Sequence, residues 1–308
     1  MKSFLKKLWR SFLCKRYPIL KLDYNSFIRF SYPGHYYSPL PDLDDIEKNQ
    51  SRLFNSKGRE CPGIVIDAES QIKLIQSFKR YAADFEIPED KIETNRYFSN
   101  NELFCRSDAF VLYCMMRHYT PARIIEVGSG FSSALMMDVN DAFFNGGMQF
   151  TFIEPYPERL KSLMRANDSA TAKILVQNVQ DVPMEIFKSL KCGDILFIDS
   201  SHVTKIGSDV NHIIFEVLPV LTEGVIIHFH DILWPFEYPL EWLQKGRAWN
   251  EAYLLKAFLQ YNHVFKILFS NSFIGEFYSD EMNTVFPMFS DNAGGSLWLQ
   301  KTLISDSK

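Results

Sequence analysis

The chain has 308 residues, of which 46% are hydrophobic and 15% aromatic, a composition that excludes a disordered protein and allows a sizeable buried core. A formal net charge of −4 and a pI near 6.0 give no electrostatic basis for nucleic acid as the main partner. The five cysteines show no CxxC pair or zinc-like spacing, which indicates reduced thiols in a cytoplasmic protein.

Residues 1–22, MKSFLKKLWRSFLCKRYPILKL, form a basic amphipathic segment. Lysines and arginines interrupt every apolar run, so the segment is neither a membrane span nor the core of a signal peptide. Its apolar residues recur at helical spacing, which predicts either an interfacial helix on anionic lipid or a helix packed on its own domain. We therefore expect a cytoplasmic protein, with contact to the inner face of the membrane as one of these two alternatives.

Residues 23–96 are predicted to form an N-terminal extension. The stretch YPGHYYSPLPD (32–42) is rich in proline and tyrosine and indicates extended backbone. It is interpreted either as a lid over a functional site, with Tyr37 contacting the substrate, or as a loop packed by its own tyrosines. Apolar residues at helical spacing then predict a helix over 68–84.

From residue 97 to residue 308 the pattern is that of an α/β domain. Helical patterns over 107–119 and 205–218 accompany short, continuously apolar runs, which a parallel sheet covered on both faces requires. The predicted strands are 123–127, 149–154, 173–177, 194–199 and 224–230, followed by an antiparallel pair at 265–270 and 296–301. This alternation predicts a doubly wound, mostly parallel seven-stranded sheet with a Rossmann-like arrangement.

Acidic residues lie at or just beyond the ends of the predicted strands. They are Glu126, Glu154, Asp181, Asp199 and Asp231. In an open α/β sheet, ligands bind in the crevice beyond the carboxyl ends of the strands. Because so many carboxylates cannot all serve as structural caps there, some are expected to face a ligand that carries hydroxyls, a cation or a metal.

The turn EVGSGFSS (126–133) connects the first strand to the helix that follows it. Gly128 and Gly130 let the backbone approach a ligand closely, and the helix begins with unpaired amide groups. The third small position is Ser133 rather than a glycine. Glu126 is expected to repel a pyrophosphate but not the ammonium and sulfonium groups of S-adenosylmethionine (SAM), which favours SAM over NAD.

Together, the motifs RIIEVGSGFSS, FTFIEPYPERL, GDILFIDSSHV and GVIIHFHDI resemble class I SAM-dependent methyltransferases. Over residues 97–301 the chain is most similar to the branch of metal-dependent macrolide-sugar O-methyltransferases. The cofactor residues implied by this resemblance are Glu126, Gly128, Ser129 and Gly130 for the methionine part of SAM, Glu154 for the ribose, Gln180 and Asp181 beside the adenine, and Asp199.

In the family that the chain resembles, an Asp-x-x-His pair supplies a metal ligand and a base, and two carboxylates after the fifth strand complete the metal site. Asp199 and His202 match the first pair and are the predicted catalytic residues. His202 is expected to remove a hydroxyl proton as an imidazole of near-neutral pKa. The alternative is that His202 braces the following helix.

His230 and Asp231 stand where the family usually has two carboxylates. Replacing an oxygen ligand by imidazole shifts the preference from Mg²⁺ toward Mn²⁺, Zn²⁺ or Fe²⁺, or abolishes the site. A divalent metal held by Asp199, His230 and Asp231 is therefore an open alternative to metal-free chemistry.

The stretch WPFEYP (234–239) follows directly and is predicted to contact the acceptor. Aromatic rings suit stacking on a sugar face, and a carboxylate accepts hydrogen bonds, although aromatic clusters belong more often to a core. The predicted substrate contacts are Trp234, Glu237 and Tyr238, together with Tyr37.

These observations predict a SAM-dependent O-methyltransferase that acts on a hydroxyl of a sugar or glycoconjugate and has no nucleic-acid partner. One alternative is a non-haem metal-dependent oxygenase, in which Asp199, His202 and His230 bind the metal. Another is a non-catalytic SAM-fold binding protein. An NAD-dependent enzyme is disfavoured by the charge expected on Glu126.

Overall fold

The computed structural model describes residues 30–56 and 59–302. The basic amphipathic segment predicted for residues 1–22 lies outside these described residues. Within them, no helix combines the length and the apolar character needed to cross a membrane.

The chain divides into two compact units. Of the described residues, 30–55 and 239–248 form the smaller unit, and 56, 59–238 and 249–302 form the larger. The predicted boundary at residue 97 falls inside the larger unit, so residues 59–96 are part of that compact body.

The larger unit is built on a seven-stranded sheet. Its strands are β1 (Arg123–Val127), β2 (Gln149–Ile153), β3 (Ala172–Leu175), β4 (Ile195–Ile198), β5 (Ile226–Phe229), β6 (Phe265–Ser270) and β7 (Leu297–Lys301). They are ordered β3-β2-β1-β4-β5-β7-β6. The first five are mutually parallel, and β7 runs antiparallel to both β5 and β6. This order confirms the predicted doubly wound, mostly parallel sheet and its antiparallel pair.

Helices occupy most of the connections. In the smaller unit they are α1 (Leu43–Lys48), α2 (Gln50–Leu53) and α10 (Leu240–Gln244). In the larger unit they are α3 (Ala68–Ala82), α4 (Arg106–Tyr119), α5 (Phe131–Phe144), α6 (Glu158–Leu163), α7 (Met184–Lys188), α8 (Asp209–His212), α9 (Leu218–Val220), α11 (Glu251–Leu259), α12 (Asn271–Phe277) and α13 (Ser279–Asn283). A π-helical stretch, Ile213–Val217, joins α8 to α9 without a break.

The core explains why the apolar runs form strands. Every residue of β4 and of β5 is buried, as expected for central strands that are covered on both faces. Phe197 of β4 and Trp298 of β7 share one apolar cluster with Phe110 of α4 and Phe78 of α3. Burying each such large side chain stabilises the fold by about 1.5–3 kcal/mol. Helix α3 therefore belongs to the core of the larger unit rather than to a separate extension.

The chain before α4 is anchored by a buried arginine. Arg96 lies 2.8 Å from Asp138 of α5 and 2.5 Å from Asp168, in both cases through guanidinium nitrogens. The amide of Arg96 also donates to the Asp138 carboxylate. These contacts hold the entry to α4 next to the helix that follows β1.

Candidate active site

The carboxyl ends of β1 to β5 share one edge of the sheet because these strands are parallel. The amides of Gly128, Asp199 and His230 each donate to the carbonyl of the last residue of a neighbouring strand, at 2.9–3.0 Å. These bonds fix the first residues beyond β1, β4 and β5 side by side. Ligands of open α/β sheets bind at this edge.

The turn after β1 has no room for a side chain at position 128. Gly128 has a φ of +79°, and a Cβ there would lie 1.8 Å from the carbonyl oxygen of Asp199. Gly130 has extended backbone, and a Cβ there would meet the flexible side chain of Arg159 at 3.2 Å. The turn is therefore packed directly against the end of β4 through Gly128.

Glu126 lies behind this turn. Its side chain is 0% exposed, and its carboxyl oxygens bind the hydroxyls of Ser132 and Ser133 in the first turn of α5. Burial raises the pKa of Glu126 to about 8, even though both serine hydrogen bonds oppose the shift. The group is therefore largely neutral at pH 7. The expectation that Glu126 presents an exposed charge to the cofactor is corrected: it braces the turn.

Glutamine at position 126 is expected to leave the free energy of unfolding at pH 7 unchanged or higher, because the amide avoids the proton uptake that the raised pKa of Glu126 imposes on folding. Alanine leaves two buried hydroxyls without their partner and is expected to cost about 1–3 kcal/mol. Chemical denaturation of Glu126→Gln and Glu126→Ala at pH 7 measures the difference. Equal losses in the two variants would show that the charge of Glu126 stabilises the fold.

Glu154 follows β2 at the same edge and joins two loops. One carboxylate oxygen accepts the N–H of Ser129 at 3.1 Å, and the other accepts the N–H of Tyr156 at 2.8 Å. A carboxylate has further lone pairs with which it can accept hydrogen bonds. The Ser129 hydroxyl is buried and has no hydrogen-bond partner within the described residues. A glycine turn, an unpaired hydroxyl and a carboxylate fit the amino-acid and ribose parts of SAM.

Gln180 and Asp181 are exposed in a 3₁₀ turn, Val179–Asp181, that follows β3. The Gln180 amide donates to the carbonyl of Gly207 at 2.8 Å, and Asp181 accepts from Asn178 at 3.2 Å. Their location beside an adenine stays a prediction.

Two histidines and two aspartates meet at the ends of β4 and β5, as predicted from the sequence. His202 Nε2 lies 3.3 Å from Asp199 Oδ1 and 3.8 Å from Asp231 Oδ2. His230 Nδ1 lies 3.7 Å from Asp199 Oδ1 and 3.4 Å from Asp231 Oδ1. The histidines are buried, whereas the side chains of Asp199 and Asp231 are 32% and 20% exposed. The carboxylates therefore form the solvent-facing side of the cluster.

Both imidazoles favour the protonated form. Burial opposes a charge on His202, but hydrogen bonds to Asp199 and Glu251 outweigh it and raise its pKa to about 10. Burial also opposes a charge on His230, and the attraction of Asp199 and Asp231 outweighs it and raises its pKa well above the usual value. The expectation of a near-neutral pKa for His202 is therefore wrong, because three carboxylates surround its ring.

Two carboxylates that sequence reasoning missed complete the cluster. Asp108 of α4 lies 3.5 Å from His230 Nε2 and accepts the Ser296 hydroxyl at 2.6 Å. Glu251, the first residue of α11, lies 2.8 Å from His202 Nδ1. Each is an acid in the first turn of a helix, where acids are common in general, so nothing in the sequence set them apart.

The alternative role of His202 was to brace the helix that follows it. The helix that His202 braces is instead α11. The carbonyl oxygen of His202 accepts the N–H groups of Asn250 and Glu251 at the start of α11, at 3.1 and 3.2 Å. The backbone of His202 has a φ of +58°, a left-handed conformation that costs a non-glycine residue about 1–2 kcal/mol. Bracing a helix and presenting an imidazole to Asp199 are therefore compatible roles.

The metal alternative involved Asp199, His230 and Asp231. In the part of the chain that the structure describes, no group of three or more histidine, cysteine, aspartate or glutamate side chains is arranged to hold a metal ion. His230 instead has carboxylates near both ring nitrogens, which is the environment of an imidazolium. No catalytic step is assigned to a metal.

Two of the predicted acceptor contacts differ sharply in exposure. Tyr238 is 1% exposed, and its hydroxyl accepts the N–H of Ala252 at 3.1 Å. The predicted stacking of Tyr238 on a sugar is corrected, because its ring is part of the core. Tyr37 is 65% exposed and belongs to the smaller unit, and its contact with an acceptor stays a prediction.

Trp234 and Glu237 are half-buried after β5. The ring of Trp234 packs edge-on against Phe273, and its Nε1 has no hydrogen-bond partner among the residues described. Glu237 accepts the Tyr253 hydroxyl and lies 3.4 Å from Arg59. Trp234 thus retains a free donor, while Glu237 is already engaged by neighbouring side chains.

The sequence was compared with known families and proteins. A family model described as a methyltransferase domain matches residues 125–232. An uncharacterized protein of Archaeoglobus fulgidus is 35% identical over 165 residues, which cover 52% of this chain and 73% of that protein. The matched residues begin within β1, end shortly after β5 and include the glycine turn, both histidines and both aspartates of the cluster.

Solved structures with a similar arrangement include two methyltransferases. The O-methyltransferase TomG of Streptomyces achromogenes, in complex with SAM, is 13% identical with a TM-score of 0.42 and covers 84% of this chain and 96% of its own. The Podospora anserina methyltransferase PaMTH1, bound to S-adenosylhomocysteine, is 13% identical with a TM-score of 0.41 and covers 86% and 98%. Both TM-scores are below 0.5, so the sheet order described above remains the basis for the fold.

Proposed function

This chain belongs to the SAM-dependent methyltransferases, and from that premise we propose that it methylates a hydroxyl oxygen of a sugar or glycoconjugate. The observation that carries the proposal is the pair Asp199 and His202, 3.3 Å apart at the carboxyl edge of the methyltransferase domain. An imidazole beside a partly exposed carboxylate is suited to receive a proton from a hydroxyl.

SAM is proposed to bind along the ends of β1 to β4. The turn Gly128–Gly130 holds its methionine part, Glu154 accepts hydrogen bonds from its ribose hydroxyls, and Gln180 and Asp181 flank its adenine. Asp199 lies between this turn and His202, because its carbonyl is packed on Gly128 and its carboxylate faces the imidazole. When bound, SAM supplies a methyl group on a positively charged sulfur, whose C–S bond breaks as the C–O bond forms.

The acceptor hydroxyl is a poor nucleophile until it loses its proton. His202 Nε2 is proposed to take this proton, while Asp199 and Asp231 orient the acceptor by accepting hydrogen bonds from its neighbouring hydroxyls. His202 must first be neutral, and a positively charged donor bound nearby lowers its pKa by disfavouring a second positive charge. Proton transfer by such a base contributes about 10²–10⁴-fold to the rate.

A hydroxylated acceptor fits the open side of the cluster. Asp199 and Asp231 offer hydrogen-bond acceptors side by side, which suits neighbouring hydroxyls on one ring. Trp234 adds a half-buried indole with an unpaired donor, and Glu237 is proposed as a further contact. A cytoplasmic protein whose residues 1–22 touch the inner face of the membrane is part of the same proposal, because a basic amphipathic sequence suits anionic lipid and would bring the protein to a lipid-linked acceptor.

Methyltransferase identity leaves the oxygenase and NAD-dependent alternatives without support. A non-catalytic SAM-binding protein is the remaining alternative. The carboxylates that surround His202 argue against it, because a cluster of buried charges costs stability that a binding protein does not need.

Incubation of the protein with [methyl-¹³C]SAM and a panel of acceptors tests the proposal. The panel contains glycosides, nucleotide-linked sugars, catechols and amines, with one lipid-linked glycan presented in anionic vesicles. We expect a ¹³C-labelled O-methyl ether on a sugar, detected by NMR. Label on nitrogen or sulfur, or SAM binding without transfer to any class, would contradict the proposal.

A further inference from the structure

Three consecutive residues at the start of α11 converge on the loop that carries His202. The indole of Trp249 packs against the imidazole of His202, with ring centroids 4.3 Å apart. The side chain of Asn250 binds both the N–H and the carbonyl of Thr204. The carboxylate of Glu251 binds His202 Nδ1 at 2.8 Å.

We propose that Glu251 is a positioning residue for His202, which holds Nδ1 so that Nε2 stays directed at Asp199 and the acceptor. This inference rests on the proposed role of His202 as the base. Glu251 is 49 residues from His202 in sequence, and because it is buried it does not line the crevice. It therefore acts through His202 rather than on the substrate.

His202 needs such a positioning residue because its backbone conformation is strained. Its φ of +58° is unfavourable for a residue with a side chain, and a left-handed loop residue has other conformations available. Glu251 fixes the residue twice, through its N–H on the His202 carbonyl at 3.2 Å and through its carboxylate on the ring. Backbone and imidazole are thus locked by one residue.

Burial of Glu251 is poorly explained by stability alone. The residue is 1% exposed, and its Oε1 is buried without a hydrogen-bond partner among the residues that the structure describes. An unpaired buried polar atom costs about 1–3 kcal/mol. Residues that break the rule of satisfied polar groups concentrate at functional sites.

Glu251→Gln is the informative variant, because it keeps the shape and a hydrogen-bond acceptor but removes the charge. We expect kcat on the high-pH plateau, where His202 is neutral in both proteins, to fall about 10–100-fold with KM and SAM affinity within about twofold, since orientation of a base matters in the transition state. Glu216→Gln makes the same chemical change at an exposed position of the larger unit and is expected to behave as wild type. Glu251→Asp, which shortens the side chain, is expected to restore part of the lost rate.

A double-mutant cycle separates positioning from structural support. If Glu251 acts through His202, the variant with both His202→Ala and Glu251→Gln turns over no more slowly than His202→Ala alone. In ¹⁵N-histidine spectra, the Nδ1–H signal of His202 is expected to shift in Glu251→Gln and to stay in place in Glu216→Gln. These readouts do not move if Glu251 only stabilises the fold.

Two different outcomes would disprove the role of Glu251 and the role of His202. Wild-type kcat and an unshifted Nδ1–H signal in Glu251→Gln, together with loss of turnover in His202→Ala, would overturn the role of Glu251 alone. Full turnover in His202→Ala would instead remove His202 as the base.

Discussion

Replacing His202 by alanine is expected to lower kcat by about 10²–10⁴-fold while SAM affinity does not fall. The imidazole lies next to Asp199 and Asp231 but forms no part of the Gly128–Gly130 turn. Its removal therefore takes away the proton acceptor and leaves the cofactor contacts in place. Turnover measured with labelled SAM, and titration calorimetry with SAM, test the two halves of this prediction.

His263→Ala is the matched control, because His263 is exposed and lies outside the cluster. It is expected to leave both quantities unchanged. Turnover of His202→Ala close to that of wild type would exclude His202 as the base.

The pH dependence of kcat should report the same group. The pKa of His202 is raised to about 10, and only the neutral imidazole accepts a proton. The active fraction therefore grows as pH rises, about tenfold per unit below the pKa, and reaches a plateau above it. Bound SAM shifts the plateau to lower pH without changing the sign. A rate that falls between pH 7 and pH 9, or the same rising profile in His202→Ala, contradicts the assignment.

Alanine at position 128 is expected to damage both the fold and SAM binding. A Cβ would meet the Asp199 carbonyl at 1.8 Å, and the φ of +79° is unfavourable for alanine. Overpacking and backbone strain together predict a loss of about 2–4 kcal/mol. The melting temperature should fall by more than about 5 °C, and SAM affinity by about 100-fold or more, because either the turn or Asp199 must move.

Gly130→Ala distinguishes a steric clash within the folded protein from a steric clash with bound SAM. Its backbone is extended and its Cβ meets only a flexible arginine side chain, so the melting temperature is expected to stay near that of wild type. A loss of SAM affinity in this folded variant indicates close approach of the ligand to the turn. A Gly128→Ala variant as stable as Gly130→Ala would refute the packing of the turn on β4.

The sheet and the cluster at its edge were predictable from the sequence for a physical reason. Buried parallel strands are short and continuously apolar, and the chain supplies such runs for β1 to β5. The residues that follow each strand must then lie at one edge, which brings Asp199 and Asp231 together whichever helices connect the strands. The antiparallel pair β6 and β7 followed from the same apolar pattern.

The direction in which each side chain faces at that edge could not be predicted from the sequence. Glu126 and Asp199 stand near the ends of adjacent strands, yet one is enclosed by serines and the other is partly exposed. Tyr238 belongs to an aromatic stretch that was expected to contact the acceptor, but its ring is buried against Trp249. Glu251 joins His202 through a tertiary contact that no local spacing encodes, so the pKa of His202 was also out of reach.

A crystal structure of the protein with S-adenosylhomocysteine bound tests the site most directly. We predict the homocysteine part at the Gly128–Gly130 turn, the ribose hydroxyls within hydrogen-bond distance of Glu154, and the sulfur facing Asp199 and His202. An unoccupied carboxyl edge, or a ligand bound away from the ends of β1 and β4, would contradict this assignment.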